Sequence, residues 1–355
     1  MPRRPRLTTT LDLQTLRDDL TRAGAFERHP ARTWAKLALL LSGAALAVGL
    51  PLAFAPWLTW ALLPLTALFV TAAVMIGHEG GHKSFAAGPM QNELLLHLAF
   101  PLLGGLSAAY WKNKHNVKHH GHPNIDGVDD DLRIWPMAGT RHHHEASGAF
   151  RRFLQRRLQG WLFWPLSSLL TVSMRSSSLA FLVRSARAGR FDGAWVLDAG
   201  CLALHYAGWL VLPSLVWGFG TAVAFYLALW GIIGVYLTAI FAPAHMGLPI
   251  YREHPDTWRL QLETTRNLRL PRWLGFFFIG LDHQVEHHLF MRMPHQKMRL
   301  ASPIVRRWAE ARGLPYQEIG FFRGLVEVTR FVKHAWRHEP TVAPGPLPVP
   351  VRHAA

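Results

Sequence analysis

The chemistry this chain could do is carried by four histidine groups. These are His78-Glu79-Gly80-Gly81-His82, His115-Asn116-Val117-Lys118-His119-His120, His245 in Ala242-Pro243-Ala244-His245, and His283-Gln284-Val285-Glu286-His287-His288. On a helix, residues i and i+4 share a face, so His78 and His82 can point at one metal ion. His115 and His119 repeat that spacing, and His120 is turned about 100° away, free to reach a second ion. His287 and His288 form another divergent pair. Eight imidazoles (His78, His82, His115, His119, His120, His245, His287 and His288) are too many for one ion. They suit two, with four or five ligands each and a position left for oxygen. Neutral imidazole favours iron, copper, zinc or nickel over magnesium or calcium. Cys201 is the only cysteine among 355 residues. That excludes an internal disulfide, thiolate-held zinc and an iron–sulfur cluster within one chain.

The first group also matches the His-Glu-x-x-His pattern of zinc hydrolases, in which the glutamate acts as general base. That reading leaves His115, His119, His120, His287 and His288 without a role. The other histidines have simpler readings. His97, His205, His254 and His295 read as polar residues at a membrane surface, and His142-His143-His144 as an exposed loop. His122, beside the second group, fits either a supporting role or the surface.

The elements that must position these groups are membrane spans. Half of the residues are hydrophobic, yet Lys plus Arg outnumber Asp plus Glu by 38 to 22, for a net charge of +16. Lipid-buried helices with a basic collar combine those features. The basic residues form no nucleic-acid reader motif, so no nucleic-acid partner is expected. From Leu37 to Gly77 and from Ala199 to Ala244 there is no Asp, Glu, Lys or Arg. Each run is about twice the ~20 residues that cross a bilayer once. The expected spans are 37–56, 58–77, 199–218 and 221–244, paired into two hairpins with turns at Pro51–Trp57 and at Gly218-Phe219-Gly220. The fold class is therefore an all-α integral membrane protein with four transmembrane helices and a helical cap carrying the histidine groups.

Both turns lack Lys and Arg, whereas the flanks are basic, which places the N-terminus, the middle segment and the C-terminus in the cytosol. All four histidine groups then emerge on one face. Residues 1–36 show no secretory signal and read as a cytosolic arm ending in a surface helix, 37–339 as the membrane domain, and 340–355 as a disordered proline-rich tail. Leu94–Tyr110 is expected to dip into the interface and Trp161–Val183, cut by Arg175, to lie flat on it.

With these residues in view, the chain resembles the membrane fatty acid desaturases, most closely the front-end acyl-lipid and sphingolipid branch. The resemblance runs from about Ile76 to Met298. It rests on the His78–His82 box and on Trp111-Lys112 leading into His115, His119 and His120, then Asn124-Ile125-Asp126-Gly127 and Asp129-Asp130-Asp131-Leu132. It rests further on Gln284-Val285-Glu286-His287-His288-Leu289-Phe290, preceded by Thr264-Thr265-Arg266-Asn267. A glutamine in place of the first histidine of the third box marks the front-end branch. Met291 stands where the family usually has proline, and His283 precedes Gln284, so either could complete the box.

The resemblance implies O2-dependent desaturation of a fatty-acyl chain by two histidine-held irons in a membrane, a bacterial inner membrane being favoured. A diiron hydroxylase or ketolase of a lipid is the alternative, because it starts with the same hydrogen abstraction. Glu79, Asp129, Asp131 and Glu286 are expected to orient the imidazoles through their other ring nitrogen. No His-Pro-Gly-Gly haem motif occurs, so electrons are expected from a separate ferredoxin or small haem cytochrome. Lys112, Lys114 and Lys118, around the second box, would either dock that carrier or contact lipid phosphates.

Overall fold

The computed structural model describes residues 11–255 and 257–341. Among the described residues four helices are long and apolar enough to cross a membrane: Pro30–Phe54, Leu63–Gly81, Gly193–Trp217 and Phe219–His245. In the first, Leu37, Leu40, Ala44, Ala47 and Pro51 are buried, a spacing of three and four that draws one stripe along the helix. The opposite face exposes Leu39, Leu46, Leu50 and Phe54. A water-soluble surface does not carry such a face, and hydrocarbon solvates it. The first and second spans pack closely because Gly43 leaves room for Phe69, whose ring would lie 2.4 Å from a Cβ there. The third and fourth spans are joined through Gly218 alone, at φ +77°, a backbone region open to glycine.

The first span begins at Pro30, well before the expected position 37. Hydropathy stops at Lys36, but the helix does not, because that ammonium sits 4.5 Å over the Phe276 ring in the cap. The expected arm boundary at 36 therefore falls inside a helix. Upstream, Leu11–Arg22 packs Leu16 and Leu20 against Val305 and Trp308 of the cap helix His295–Glu310. Residues 1–10 and 342–355 lie outside the described residues. Thr341, assigned above to the disordered tail, hydrogen-bonds the Ile250 carbonyl at 2.6 Å.

Two further apolar segments are bent. Pro89–Gly104 meets Ala108–His119 at 107°, and Gln159–Ser167 meets Leu170–Arg187 at 67°. The first bend is anchored from the third span. Asp198 accepts hydrogen bonds from Ser107 Oγ at 2.5 Å, Ala108 N at 2.9 Å and Ala109 N at 3.1 Å, which fixes the start of the helix leading to the second histidine group. Arg175 does not mark a surface helix. It is buried, donates to the Gly104 carbonyl at 2.7 Å and lies 3.8 Å over Trp230. His205, expected at the interface, is also buried, bonded to the Leu102 carbonyl and Tyr226 Oη.

Among the described residues the regular elements are helical apart from one parallel pair, β1 (Asn267–Arg269) and β2 (Glu318–Gly320), in register Asn267 with Glu318 and Arg269 with Gly320, and two isolated bridges of Tyr251 with Ile125 and Thr341. Three-residue strands are too short to show a period of two in sequence.

If the basic helix ends face the cytosol, single cysteines placed at Trp57 and Thr221 in a Cys201-free background should react with an impermeant reagent only from outside intact cells. Labelling only after the cytosolic side is opened would invert the topology.

Candidate metal centre

The ends of the second and fourth spans and the cap helix Gln284–Leu289 bring the four histidine groups together. His78, His82, His115, His120 and His287 form one set, and His119, His245 and His288 form another. Within each set one nitrogen per ring lies within 4.8 Å of the others. All eight expected imidazoles are in one of the two sets. His78 Nε2 lies 2.9 Å from His115 Nε2 and 3.3 Å from His82 Nε2, and His120 Nε2 lies 3.1 Å from His115 Nε2. The two sets touch through His120 and His288, whose rings stack at 4.3 Å.

The partition differs from the α-helical expectation in one respect. His115 shares its set with His120, and His119 belongs to the other. The cause is local winding: Lys112–His119 is π-helical, and the His120 N–H donates to the His115 carbonyl five residues back at 2.8 Å. The wider turn carries residue i+5, instead of i+4, back over residue i. His287 and His288 do diverge into separate sets, as expected.

The glycines of the first box make room for neighbours. A Cβ on Gly81 would lie 2.1 Å from the Trp111 ring, and one on Gly80 would lie 2.5 Å from the Asn92 carbonyl oxygen. Trp111 in turn stacks on His115 at 4.6 Å.

The second set is oriented through its outer nitrogens. His119 Nδ1 lies 3.1 Å from Asp129 Oδ2, His245 Nδ1 lies 3.0 Å from the Thr264 carbonyl, and His288 Nδ1 lies 2.8 Å from Gln261 Oε1. The Thr264 carbonyl and the Gln261 amide oxygen hold a proton on Nδ1 of His245 and His288 and leave the Nε2 lone pair free. Burial would lower His119, but Asp129 and Asp131 outweigh it and raise that imidazole, so a metal there would displace the proton on its Nε2. The Nε2 atoms of His245 and His288 are buried without a hydrogen-bond partner, as are both ring nitrogens of His287 and Nδ1 of His82 and His120. Buried nitrogen left unpaired is costly. Eight convergent imidazoles, five of them with a buried ring nitrogen left without a partner, fit metal cations. Burial pushes His120, His287 and His288 well below the usual histidine range. They are therefore neutral and able to ligate at physiological pH. Burial would raise Asp129, but the charge and hydrogen bond of His119 outweigh it and hold that carboxylate ionised.

Of the carboxylates expected to orient imidazoles, Asp129 does so, and Asp131 Oδ2 stands 3.3 Å from the same His119 nitrogen. Glu79 and Glu286 serve otherwise. Glu79 accepts from Thr33 Oγ1 at 3.2 Å and from the His295 backbone at 2.7 Å, tying the first box to the first span and the cap. His295, read above as interfacial, is thus a buried partner 2.9 Å from Glu79 through Nδ1. Glu286 accepts from Asn267 Nδ2 at 2.8 Å and Tyr316 Oη at 2.7 Å, which moors the third box to β1. Sequence reasoning missed Gln261 and Asn124. Gln261 also donates to the His120 carbonyl at 2.9 Å. Asn124, at φ +55°, donates to the His245 carbonyl at 3.2 Å and so ties the second box to the fourth span. Asn124 stood in a quoted motif, but Gln261 carries no local signal.

The three lysines form no free basic patch. Lys112 pairs with Glu93 at 2.6 Å, Lys118 with Asp130 at 2.6 Å and Lys114 with Asp131. The acidic run after the second box folds back over it and neutralises two of them.

The fatty acid desaturase family model matches residues 55–320. The chain belongs to the fatty acid desaturase family. It is 27% identical over 272 residues to the Delta(5) fatty acid desaturase of Caenorhabditis elegans, covering 72% of this chain and 59% of that protein. It is 29% identical over 323 residues to the sn-1 oleoyl-lipid 12-desaturase of Picosynechococcus, covering 86% and 88%. It is 29% identical over 262 residues to the acyl-lipid (9-3)-desaturase of Borago officinalis, covering 69% and 57%. The chain thus spans less than two thirds of the worm and borage desaturases. The relatives include front-end desaturases, the branch to which Gln284 pointed.

The third box is ambiguous in sequence but asymmetric in space. Gln284 and His283 both carry a buried nitrogen without a partner, Nε2 of Gln284 and Nδ1 of His283, but Gln284 is fully buried and shares a helical face with His287 and His288. His283 is a fifth exposed, lies outside both sets and stands 3.6 Å from Asp282. His283→Ala should therefore keep the metal content of the parent, and His287→Ala should lose metal. Gln261→Leu, which removes the acceptor at His288, should weaken metal retention about 10–100-fold in a chelator competition. Equal loss from His283→Ala and His287→Ala would put His283 among the ligands.

Proposed function

We propose that the chain introduces a carbon–carbon double bond into a fatty-acyl chain, using O2 and two irons held by His78, His82, His115, His120 and His287 on one side and His119, His245 and His288 on the other. The observation that carries this reading is the convergence of eight imidazoles, seven buried and His115 half-buried, in two touching sets. One zinc ion would not use them. Imidazole nitrogens at this density suit two ions of the iron class.

Iron bound there would supply the O2-derived oxidising power that an unactivated methylene demands. In balance, the acyl chain gives up two hydrogens, O2 takes these with two further electrons and two protons, and two waters leave. The protein's own part is orientation. Asp129, Thr264 and Gln261 hold Nδ1 protons so that the Nε2 atoms of His119, His245 and His288 face inward, and Glu286 and Asn267 lock the helix bearing His287. The histidines supply no electrons, so two per turnover come from a separate carrier of the ferredoxin or small haem type. Because Lys112, Lys114 and Lys118 are each paired, that carrier docks elsewhere. The exposed apolar faces of the spans support a membrane setting. The basic flanks and uncharged turns are the ground for reading both termini as cytosolic, in a bacterial inner membrane.

Lipid analysis of a host expressing the chain tests the function directly. New acyl species two mass units lighter should appear with the parent and vanish with His287→Ala at equal protein level. Species sixteen units heavier instead would make the chain a hydroxylase, and an unchanged profile with one bound zinc would favour a hydrolase.

A further inference from the structure

A second set of metal-ligating side chains lies outside the histidine boxes. Asp126 Oδ1 stands 3.2 Å from His143 Nε2, and one ring nitrogen of His142 joins them within 4.8 Å. The carboxylate is built in. Its residue's backbone N–H donates to the Tyr251 carbonyl at 2.8 Å, and its Oδ2 accepts from the buried Thr140 hydroxyl at 3.4 Å. Thr140 also caps the short helix Arg141–Glu145 by accepting from the His143 N–H. One hydroxyl thus fixes both the carboxylate and the helix that presents the two imidazoles. Oδ1 is left buried and, despite the nearby His143 ring, without an aligned hydrogen-bond partner. Oδ1 and His143 Nε2 thus form a close but poorly aligned pair, in which a cation would take the place of the proton between them.

The neighbours sharpen the set. His144 is turned away and engaged, with Nδ1 2.7 Å from Gln155 Oε1 and Nε2 accepting from Arg156. Arg141 is drawn off by Glu145 and Glu339, so no cation of the chain competes for Asp126 from that helix. A simple Asp–His ion pair would use one imidazole, whereas here two converge on one carboxylate. Two imidazoles and one carboxylate are a donor set for a borderline divalent ion, with remaining positions left to water. His142 is exposed, so an ion can reach the site from solvent.

We propose that Asp126, His142 and His143 form a third, mononuclear site for a zinc-class divalent cation, separate from the two histidine sets. Asp126 begins the loop that ends in Asp129, the partner of His119, so the bound ion would clamp that loop to the 141–145 helix.

The test uses tag-free, iron-loaded, full-length protein in detergent, dialysed against Zn2+ and then assayed for both metals. The parent should take up one zinc per chain beyond its iron. Asp126→Asn and the His142→Ala, His143→Ala double variant should lose that zinc and keep the parent's iron, and Thr140→Val should weaken zinc binding about 10-fold. His142→Ala alone, at an exposed position, removes one ligand without disturbing packing and should also bind more weakly. Co2+ in place of zinc should give visible absorption that disappears in the same variants. A parent that binds no additional zinc, or an equal zinc affinity in His142→Ala, would overturn the proposal. Iron measured in the same samples separates that outcome from a failure of the iron centre.

Discussion

The rest of the structure depends on the convergence of eight imidazoles, all but His115 buried, within reach of one another. Histidines packed this closely cannot all hydrogen-bond, because each neutral ring has one donor and one acceptor and the inward nitrogens face only each other. His287 has both nitrogens unpaired, and His78 Nε2 and His115 Nε2 meet at 2.9 Å. A cation at each set would turn those opposed lone pairs into ligands. The protein's polar interior is arranged to make that possible.

Much of the remaining chain holds the rings in place. The first box is held by Glu79 to Thr33 and His295, the second by Asp129 and Asn124, the fourth span by the Thr264 carbonyl, and the third box by Glu286, Asn267 and Tyr316. These contacts join residues far apart in sequence, from the first span to the cap. Deeper down, Asp198 and Arg175 pin the bend from which the second box rises. An intramembrane acid and base satisfied in this way are expensive to bury and mark a place where geometry matters.

The four spans were legible in sequence because long uncharged runs report lipid directly, and the eight inward histidines because boxes at span ends must converge. What escaped was context. The exchange of His119 and His120 between sets depends on a π-helical turn, and nothing in Lys112–His119 announces that winding. Arg175, His205 and His295 looked interfacial because single polar residues in apolar surroundings usually are. Their partners, Gly104, Tyr226 and Glu79, lie 71, 21 and 216 residues away. Lys112, Lys114 and Lys118 looked like a docking patch until Glu93, Asp131 and Asp130 were placed beside them.

The central claim is that the two histidine sets hold two irons. Mössbauer spectroscopy of protein grown on 57Fe, with metal quantified in the same sample, tests it most directly. The account predicts two irons per chain in nitrogen- and oxygen-ligated sites, with loss of iron in His287→Ala and in His288→Ala. A single zinc per chain, or one iron unaffected by His288→Ala, would contradict it.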